Sequence, residues 1–327
     1  MMRSLTLNYH TLKSTMKWTD KRILYLMAKA FIGREELLDT VEIERVRKRL
    51  KSETGFFTNL NATVRDIIIA LMVANEKSSD KDVLLLLDSY NEMKEVGFKG
   101  SSYTYFGAYL LQFSKQSNKF ETMKRGAEIY DAMKSSHPFI TGKEDYSIAI
   151  SLAQNEGLAL FRPQEITDMV DFYYDGLRQA GLKSRDNAQA AAATCVLLLG
   201  EQSSRFVLEM ENTVSELAKF DIKPKPLLYT SIVILTFLRQ EVSDLTLDDL
   251  SEFLQEAEEH VKVFLDKNYQ RTMALNLFIE NQSKELGDEV TNTVAITLNQ
   301  LIIQEQVMAA AAASSAAAAA ASSSSAS

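Results

Sequence analysis

The sequence predicts an all-α protein, an α-solenoid-like array of stacked antiparallel helix pairs with about fourteen or fifteen helices. Three observations predict it. Apolar residues recur at helical spacing almost throughout, and no convincing alternating run exceeds a few residues. Glycine and proline supply only 16 of 327 residues, so few breaks separate the elements. Several segments can also be laid over one another as internal copies.

The individual helices follow from their apolar faces and their ends. In the segment 41–51, Ile43, Val46 and Leu50 fall on one helix face. Asp20 favours a helix start before the apolar segment 23–32. Further along the chain, starts are indicated at Ser79 or Asp80 and at Pro163, and Gly97 is placed to end a helix.

Four segments align as copies of one two-helix unit. A large apolar residue near the end of the first helix recurs at spacings of 40, 44 and 40 residues: Met93, Met133, Leu177 and Leu217. Four further columns follow in each copy: Phe98, Phe139, Leu182 and Ile222; Tyr105, Tyr146, Gln189 and Tyr229; Ala108, Ala149, Ala192 and Ile232; Leu111, Leu152, Cys195 and Leu235. Segments 41–74 and 247–283 are looser copies. One helix pair cannot bury its apolar stripe alone, so the pairs should stack. The alternative is a plain helical bundle with even helix lengths.

Two resemblances to known families accompany this pattern. The turn Met93–Phe98 with Tyr105 resembles pentatricopeptide repeats, but the period here is longer and no set of base-reading side chains is evident. A resemblance over nearly the whole chain is carried by Met16-Lys17-Trp18, Asp20–Ile23, Thr54-Gly55-Phe56-Phe57 and Arg65 before Ile67–Ala74. These strings are similar to a bacterial family, domain of unknown function 4003. The resemblance implies a mostly helical cytoplasmic protein and supplies no catalytic residues.

Composition limits the possible chemistry. The single cysteine, Cys195, excludes an intrachain disulfide and a cysteine-based zinc site, and it lies in an apolar run typical of a core. The longest apolar runs fall short of a membrane span, so we expect a cytoplasmic protein with no membrane partner.

The net charge of −8 disfavours binding to nucleic acid. It divides unevenly, because residues 1–58 hold 12 basic and 7 acidic groups and residues 240–306 hold 4 and 14.

Motifs for catalysis, cofactors and metals are weak or absent. Ser14 and Lys17 have the spacing of a serine acyl-transferase motif, but its partner motifs are missing. Glu256 and His260 lie on an acidic helix without the Glu-x-x-His spacing of a carboxylate-bridged di-iron site. His137 precedes a proline in a turn, and no glycine-rich phosphate loop occurs. We therefore expect no catalytic, cofactor or metal residues.

The charged and aromatic patterns leave alternatives open. The run Arg45–Lys51 holds five cations, which could face RNA, an anionic membrane surface or an acidic partner, or form a solvated helix face beside Glu42 and Glu44. The basic start could also meet the acidic finish of another copy head to tail. The recurring tyrosines are interpreted as packing between units, with a ligand groove as the alternative.

The function predicted is a non-enzymatic scaffold that binds a protein or peptide in a groove. The alternatives are a helical enzyme with an unrecognised site and, less favoured, an RNA-binding repeat protein. We expect one continuous domain over residues 1–308. Residues 309–327 are only alanine and serine, which predicts a low-complexity tail.

Overall fold

The structure is a computed structural model and describes residues 1–17, 19–32, 38–54, 59–114, 116, 118–242, 245–262 and 267–283. These residues contain fourteen α-helices and four short 3₁₀ segments, and none of them lies in a strand. The predicted all-α class is confirmed. Trp18, Gly33, residues 55–57 and the predicted tail lie outside the described residues.

The helices have the following bounds: α1 Met2–Thr15, α2 Lys21–Lys29, α3 Thr40–Thr54, α4 Ala62–Ala74, α5 Asp80–Glu95, α6 Ser102–Leu110, α7 Lys119–Ser136, α8 Tyr146–Gln154, α9 Pro163–Gln179, α10 Arg185–Leu199, α11 Ser204–Lys219, α12 Tyr229–Glu241, α13 Leu250–His260 and α14 Lys267–Gln282. The 3₁₀ segments are Leu111–Phe113, Lys143–Asp145, Glu156–Leu158 and Pro226–Leu228.

Helix starts lie where the sequence places them. The side chain of Asp20 accepts a hydrogen bond from the backbone N–H of Arg22 at 2.8 Å, and α2 begins one residue later. Ser79 and Asp82 form a reciprocal capping box at the start of α5. Pro163 is the first residue of α9. These caps satisfy N–H groups that have no partner within the helix.

Consecutive helices pack as pairs in two layers. The pairs are α1/α2, α3/α4 and so on to α13/α14, and neighbouring pairs contact one another. The even-numbered helices are buried on nearly every face; in α4, for example, Ile67 to Met72 are all buried. The odd-numbered helices are buried along one stripe, such as Ile43, Val46 and Leu50 of α3. The odd helices therefore form an outer layer over the inner, even helices.

The first and last pairs contact each other and close the array into a ring. The Tyr25 hydroxyl of α2 donates to the carbonyl of His260 at 2.9 Å and accepts from the N–H of Lys262 at 3.0 Å. The Tyr269 hydroxyl of α14 donates to the Arg22 carbonyl at 2.8 Å. The basic start and the acidic finish of the chain thus meet within one molecule. Head-to-tail contact between copies stays a prediction.

Three of the four aligned turns share one hydrogen-bonded form. The N–H groups of Phe98, Leu182 and Ile222 each donate at 3.0 Å to the carbonyl five residues earlier. The residue before each has a positive φ: +115° at Gly97, +99° at Gly181 and +55° at Asp221. This is the Schellman helix end, in which a left-handed residue lets the next apolar side chain fold back onto the helix.

The alignment of Phe139 with these apolar residues is wrong. Its side chain is 97% exposed, whereas Phe98, Leu182 and Ile222 are buried. The turn after α7 has no glycine before Phe139, and Pro138 has no N–H. The Thr141 hydroxyl instead donates to the carbonyl of Met133 at 3.2 Å, so the chain closes the helix differently and directs Phe139 into solvent.

The remaining columns of the alignment are buried as predicted. The column of small residues, Ala108, Ala149, Ala192 and Ile232, is at most 1% exposed, and the column from Leu111 to Leu235 is fully buried. The tyrosine column joins successive pairs, which confirms the packing interpretation. The hydroxyl of Tyr146 accepts from the N–H of Lys99 at 3.3 Å, and that of Tyr229 accepts from Ser184 at 3.2 Å. Gln189, the odd member of the column, instead bonds to Thr141 at 2.9 Å.

The ring has two distinct ends, because the two helices of a pair are antiparallel and neighbouring pairs run the same way. We call the end with the turns inside each pair the hairpin face; it includes residues 96–101, 137–145, 180–184 and 220–228. Hydrogen bonds between successive turns hold this face together. The end with the connections between pairs is the linker face, which includes residues 75–79, 155–162 and 200–203.

Candidate functional site

The two nucleophiles considered from the sequence lie in unreactive settings. The Ser14 hydroxyl donates at 2.8 Å to the carbonyl of Thr11 in its own helix, and Lys17 is exposed beyond the end of that helix. Cys195 is fully buried in the core of the later helix pairs, and burial raises the pKa of its thiol. A thiol without access to solvent behaves as a small apolar side chain.

The histidines considered as metal ligands also have other surroundings. His260 and Glu256 are both exposed on α13. Within the described ranges, no three His, Cys, Asp or Glu side chains converge as a metal site would require. His137, interpreted as part of a turn, caps α7, and its Nε2 lies 2.9 Å from Oδ1 of Asp171 in α9.

Three of the five cations in the basic run on α3 are paired with carboxylates. Arg45 pairs with Glu42 and Asp80 at 2.7 Å each, and Arg49 pairs with Glu53 at 2.9 Å. Arg47 contacts Glu44 and Asp66. Hydrogen bonds from Arg45, with a further one from Ser78, lower the pKa of Glu42 to about 2. These ion pairs agree with the expected partial neutralisation, and whether the run faces a partner stays a prediction.

Exposed apolar side chains gather on the linker face. The structure describes eight large apolar side chains that are more than a third exposed, and seven lie within the first two turns of an outer helix or just before it: Leu7, Val41, Leu84, Phe120, Leu160, Phe161 and Leu208. Every outer helix from α1 to α11 contributes at least one. We call these seven side chains the apolar rim. The eighth, Phe139, is on the hairpin face.

A cleft opens on the same face, and it is lined in part by Glu209, which follows the rim residue Leu208 in the chain. Its volume is about 510 Å³, and it lies between the end of α10, the start of α11 and the end of α12. Such a volume is within the usual range for ligand sites, although most of those are lined mainly by apolar groups. This cleft is lined mostly by polar side chains: Leu199, Glu201, Ser203, Arg205, Glu209, Thr213, Thr236, Arg239, Gln240 and Glu241.

The charges in the cleft favour a cationic or amide-rich guest. The guanidinium of Arg239 donates to the Thr213 hydroxyl at 3.1 Å and pairs with Glu216 at 3.0 Å, so its charge is largely compensated. Three carboxylates remain in the lining, from Glu201, Glu209 and Glu241, against the exposed cation of Arg205. The cleft is therefore net acidic.

A buried carboxyl lies near the hairpin face. Asp145 is 4% exposed, and its Oδ2 accepts from the N–H of Gly142 at 2.8 Å. Burial raises its pKa to about 8, so the carboxyl is mostly neutral at pH 7. Burial, with help from Glu144 and Asp145, also raises the pKa of the nearby Tyr103 to about 12. A perturbed carboxyl beside tyrosines is a feature of many catalytic sites, although the bond to Gly142 also serves a helix start.

Sequence reasoning missed the cleft, the apolar rim and Asp145. The cleft depends on residues 40 apart in the chain, such as Glu201 and Glu241, and no local motif joins them. The rim was detectable in principle, because an apolar residue recurs near the start of each outer helix, on the side away from its buried stripe.

In the part of the chain that the structure describes, the fold and the site define a class of protein: a closed ring of seven helix pairs with an apolar rim and an acidic cleft on one end. The chain belongs to the DUF4003 family, described as proteins of unknown function, whose model matches residues 8–307. It is 26% identical over 285 residues to the uncharacterised protein YeaA of Bacillus subtilis (strain 168), an alignment that covers 84% of this chain and 85% of that protein. No solved structure matches the chain. No described helix has the length and apolar character required to traverse a bilayer.

Proposed function

We propose that the protein is a non-enzymatic scaffold that binds a protein or peptide partner on its linker face. The observation that carries the proposal is the apolar rim, in which seven exposed apolar side chains from six outer helices lie on one end of the ring. The recurrence of such side chains at the same end of six successive outer helices supports an interaction surface, because exposed apolar groups gain free energy when a partner covers them. A single exposed apolar residue would need no such explanation.

The cleft supplies the polar part of the same proposed site. A partner that packs apolar side chains on Leu160 and Leu208 would bring its neighbouring groups to the carboxylates of Glu201, Glu209 and Glu241. Apolar anchors surrounded by polar contacts are the usual composition of a binding interface. The partner expected is therefore a segment with apolar anchors followed by lysine, arginine or amide side chains.

The experiment is affinity capture from a lysate of cells that produce the protein, with matched serine variants. Leu160→Ser and Leu208→Ser should each reduce capture of the partner by about tenfold, because each removes an apolar anchor. Phe139→Ser is the control, since Phe139 is as exposed as Leu160 but lies on the other end of the ring. A partner retained equally by all three variants, or none captured by the wild type, contradicts the proposal.

One observation favours the alternative of a helical enzyme, namely the buried carboxyl of Asp145 with its raised pKa beside Tyr103. An enzyme that used this carboxyl would lose turnover in Asp145→Asn at unchanged fold. The scaffold proposal instead expects Asp145→Asn to bind the same partner as the wild type with unchanged affinity.

A further inference from the structure

Four successive turns of the hairpin face each present an exposed lysine. Lys99, Lys143, Lys183 and Lys223 follow or lie within the turns of the pairs α5/α6, α7/α8, α9/α10 and α11/α12. The hydrogen bonds from Lys99 to Tyr146, from Gln189 to Thr141 and from Ser184 to Tyr229 hold these turns side by side. We call the four lysines the basic arc.

The basic arc is not neutralised in the way that other cations of the molecule are. Across the ranges that the structure describes, no carboxylate lies within 4.0 Å of any of its four ammonium groups. On the linker face, by contrast, Arg162 pairs with Glu165 at 2.9 Å and Arg239 with Glu216 at 3.0 Å. Free lysines in a chain with a net charge of −8 indicate a surface that attracts anions.

The balance of charged side chains on this face is positive. Helix dipoles do not contribute to it, because the positive ends of α6, α8, α10 and α12 lie beside the negative ends of α5, α7, α9 and α11. Four exposed carboxylates oppose the lysines in this region: Glu95, Glu144, Asp186 and Asp221. Asp221 is paired with Arg271. Lys94, Arg185 and Lys219 also lie at these turns, so cations outnumber carboxylates.

Phe139 protrudes in the middle of the basic arc. Its ring is 97% exposed and follows Pro138 in the turn between α7 and α8, two of the helices that flank Lys143. Lysines with a protruding aromatic side chain are the combination by which peripheral proteins bind anionic bilayers. The cations attract the headgroups, and the ring inserts at the boundary with the acyl chains.

We propose that the hairpin face docks on the surface of a membrane that carries anionic phospholipids, through the basic arc and Phe139. The lysines are spread over the turns of four helix pairs at one end of a ring, which suits an extended planar surface. A nucleic-acid strand is usually held in a groove with a series of stacking aromatic side chains, and the described residues of the four turns that form the basic arc present one exposed phenyl ring. A peripheral contact needs no spanning segment. It leaves the apolar rim on the end facing away from the bilayer.

The test is co-sedimentation of the full chain with vesicles of phosphatidylcholine alone or mixed in equal parts with phosphatidylglycerol. We expect binding only to the anionic vesicles, and we expect it to weaken as salt is added. The triple variant Lys99→Gln, Lys143→Gln, Lys183→Gln should lower vesicle affinity on the order of 100-fold. Phe139→Ser should lower it by roughly tenfold and leave partner capture on the linker face unchanged.

The matched control is the triple variant Lys48→Gln, Lys81→Gln, Lys124→Gln, which removes the same charge from exposed lysines of α3, α5 and α7 away from the hairpin face. It should bind vesicles within twofold to threefold of the wild type, by the general effect of net charge alone. Thermal melts of both triple variants verify the fold, since all six side chains are exposed.

Three results would overturn the proposal. One is no binding to the anionic vesicles at low salt, and another is an equal loss in the two triple variants. The third is binding of single-stranded or duplex nucleic acid that depends on Lys99, Lys143 and Lys183 while vesicles do not bind. That result would assign the surface to nucleic acid instead.

Discussion

At the scale of single residues, Asp145 is the group with the clearest energetic consequence. Its pKa is about 8 in the folded protein because of burial, against the ordinary value of 3.8. Between these values the folded state binds more protons than the unfolded state, so stability falls as pH rises from about 4 to about 8. The carboxyl thus destabilises the fold most in alkaline solution.

Asp145→Asn should remove this pH dependence. The amide oxygen can still accept the hydrogen bond from Gly142, and no charge has to be buried. We expect the variant to match the wild type near pH 4 and to exceed it by a few kcal/mol at pH 9, measured by urea unfolding at each pH. Asp175→Asn, at an exposed position, is the control. A constant difference between Asp145→Asn and the wild type at every pH would contradict the account.

At the scale of elements, helix ends depend on residues with positive φ. Gly97 has a φ of +115° at the end of α5, and Glu76 has a φ of +55° after α4. In the same turn as Glu76, the N–H of Lys77 donates to the Met72 carbonyl at 2.8 Å. A residue with a Cβ is disfavoured in this region of backbone conformation, and glycine is not.

Gly97→Ala and Glu76→Gly should therefore have opposite effects. We expect Gly97→Ala to destabilise the protein by about 1 kcal/mol or more, and Glu76→Gly to stabilise it by about 0.5 kcal/mol. A Cβ added at Gly97 would meet no side chain or backbone atom of another part of the chain within 4 Å, so the loss would come from the backbone conformation and not from a clash. Thermal unfolding midpoints test both, and equal shifts of the same sign would contradict the explanation.

Helix starts and ends were predictable from the sequence where residues close to them in the chain determine them. The starts at Asp20, Ser79 and Pro163 and the end at Gly97 follow from capping and from backbone preferences, which act within a few residues. Phe139 was misplaced because its column position assumed a Schellman turn. Such a turn needs a positive φ at the preceding residue, and Pro138 cannot adopt one. The repeat spacing therefore predicted the helices better than it predicted the turns.

At the scale of the whole molecule, the property that the sequence did not predict is ring closure. It depends on contacts between residues more than 230 positions apart, such as Tyr25 with His260 and Lys262. The cleft depends on the packing of the neighbouring helices α10, α11 and α12, which no local motif signals. The sequence shows a basic N-terminal part and an acidic C-terminal part. In the fold, these two parts of the chain are neighbours.

Closure also buries a charged pair. Lys29 at the end of α2 is fully buried, which lowers the pKa of its ammonium, and it lies 3.8 Å from Glu280 of α14. Glu280→Gln should destabilise the protein by about 3 kcal/mol, because a buried cation loses a carboxylate. The double variant Lys29→Met, Glu280→Gln should recover part of that loss. Chemical denaturation measures both, and an unchanged stability of Glu280→Gln would argue against closure by this contact.

Site-specific photo-crosslinking in living cells can show whether the apolar rim at one end of the ring contacts a partner protein. A photoreactive phenylalanine analogue would replace Leu160 or Leu208 on the apolar rim, or the exposed residue Glu128 midway along α7 as the control. The account predicts that both rim positions crosslink to the same protein and that Glu128 does not. Crosslinks to unrelated proteins from the two rim positions, or equal crosslinking from Glu128, would contradict it.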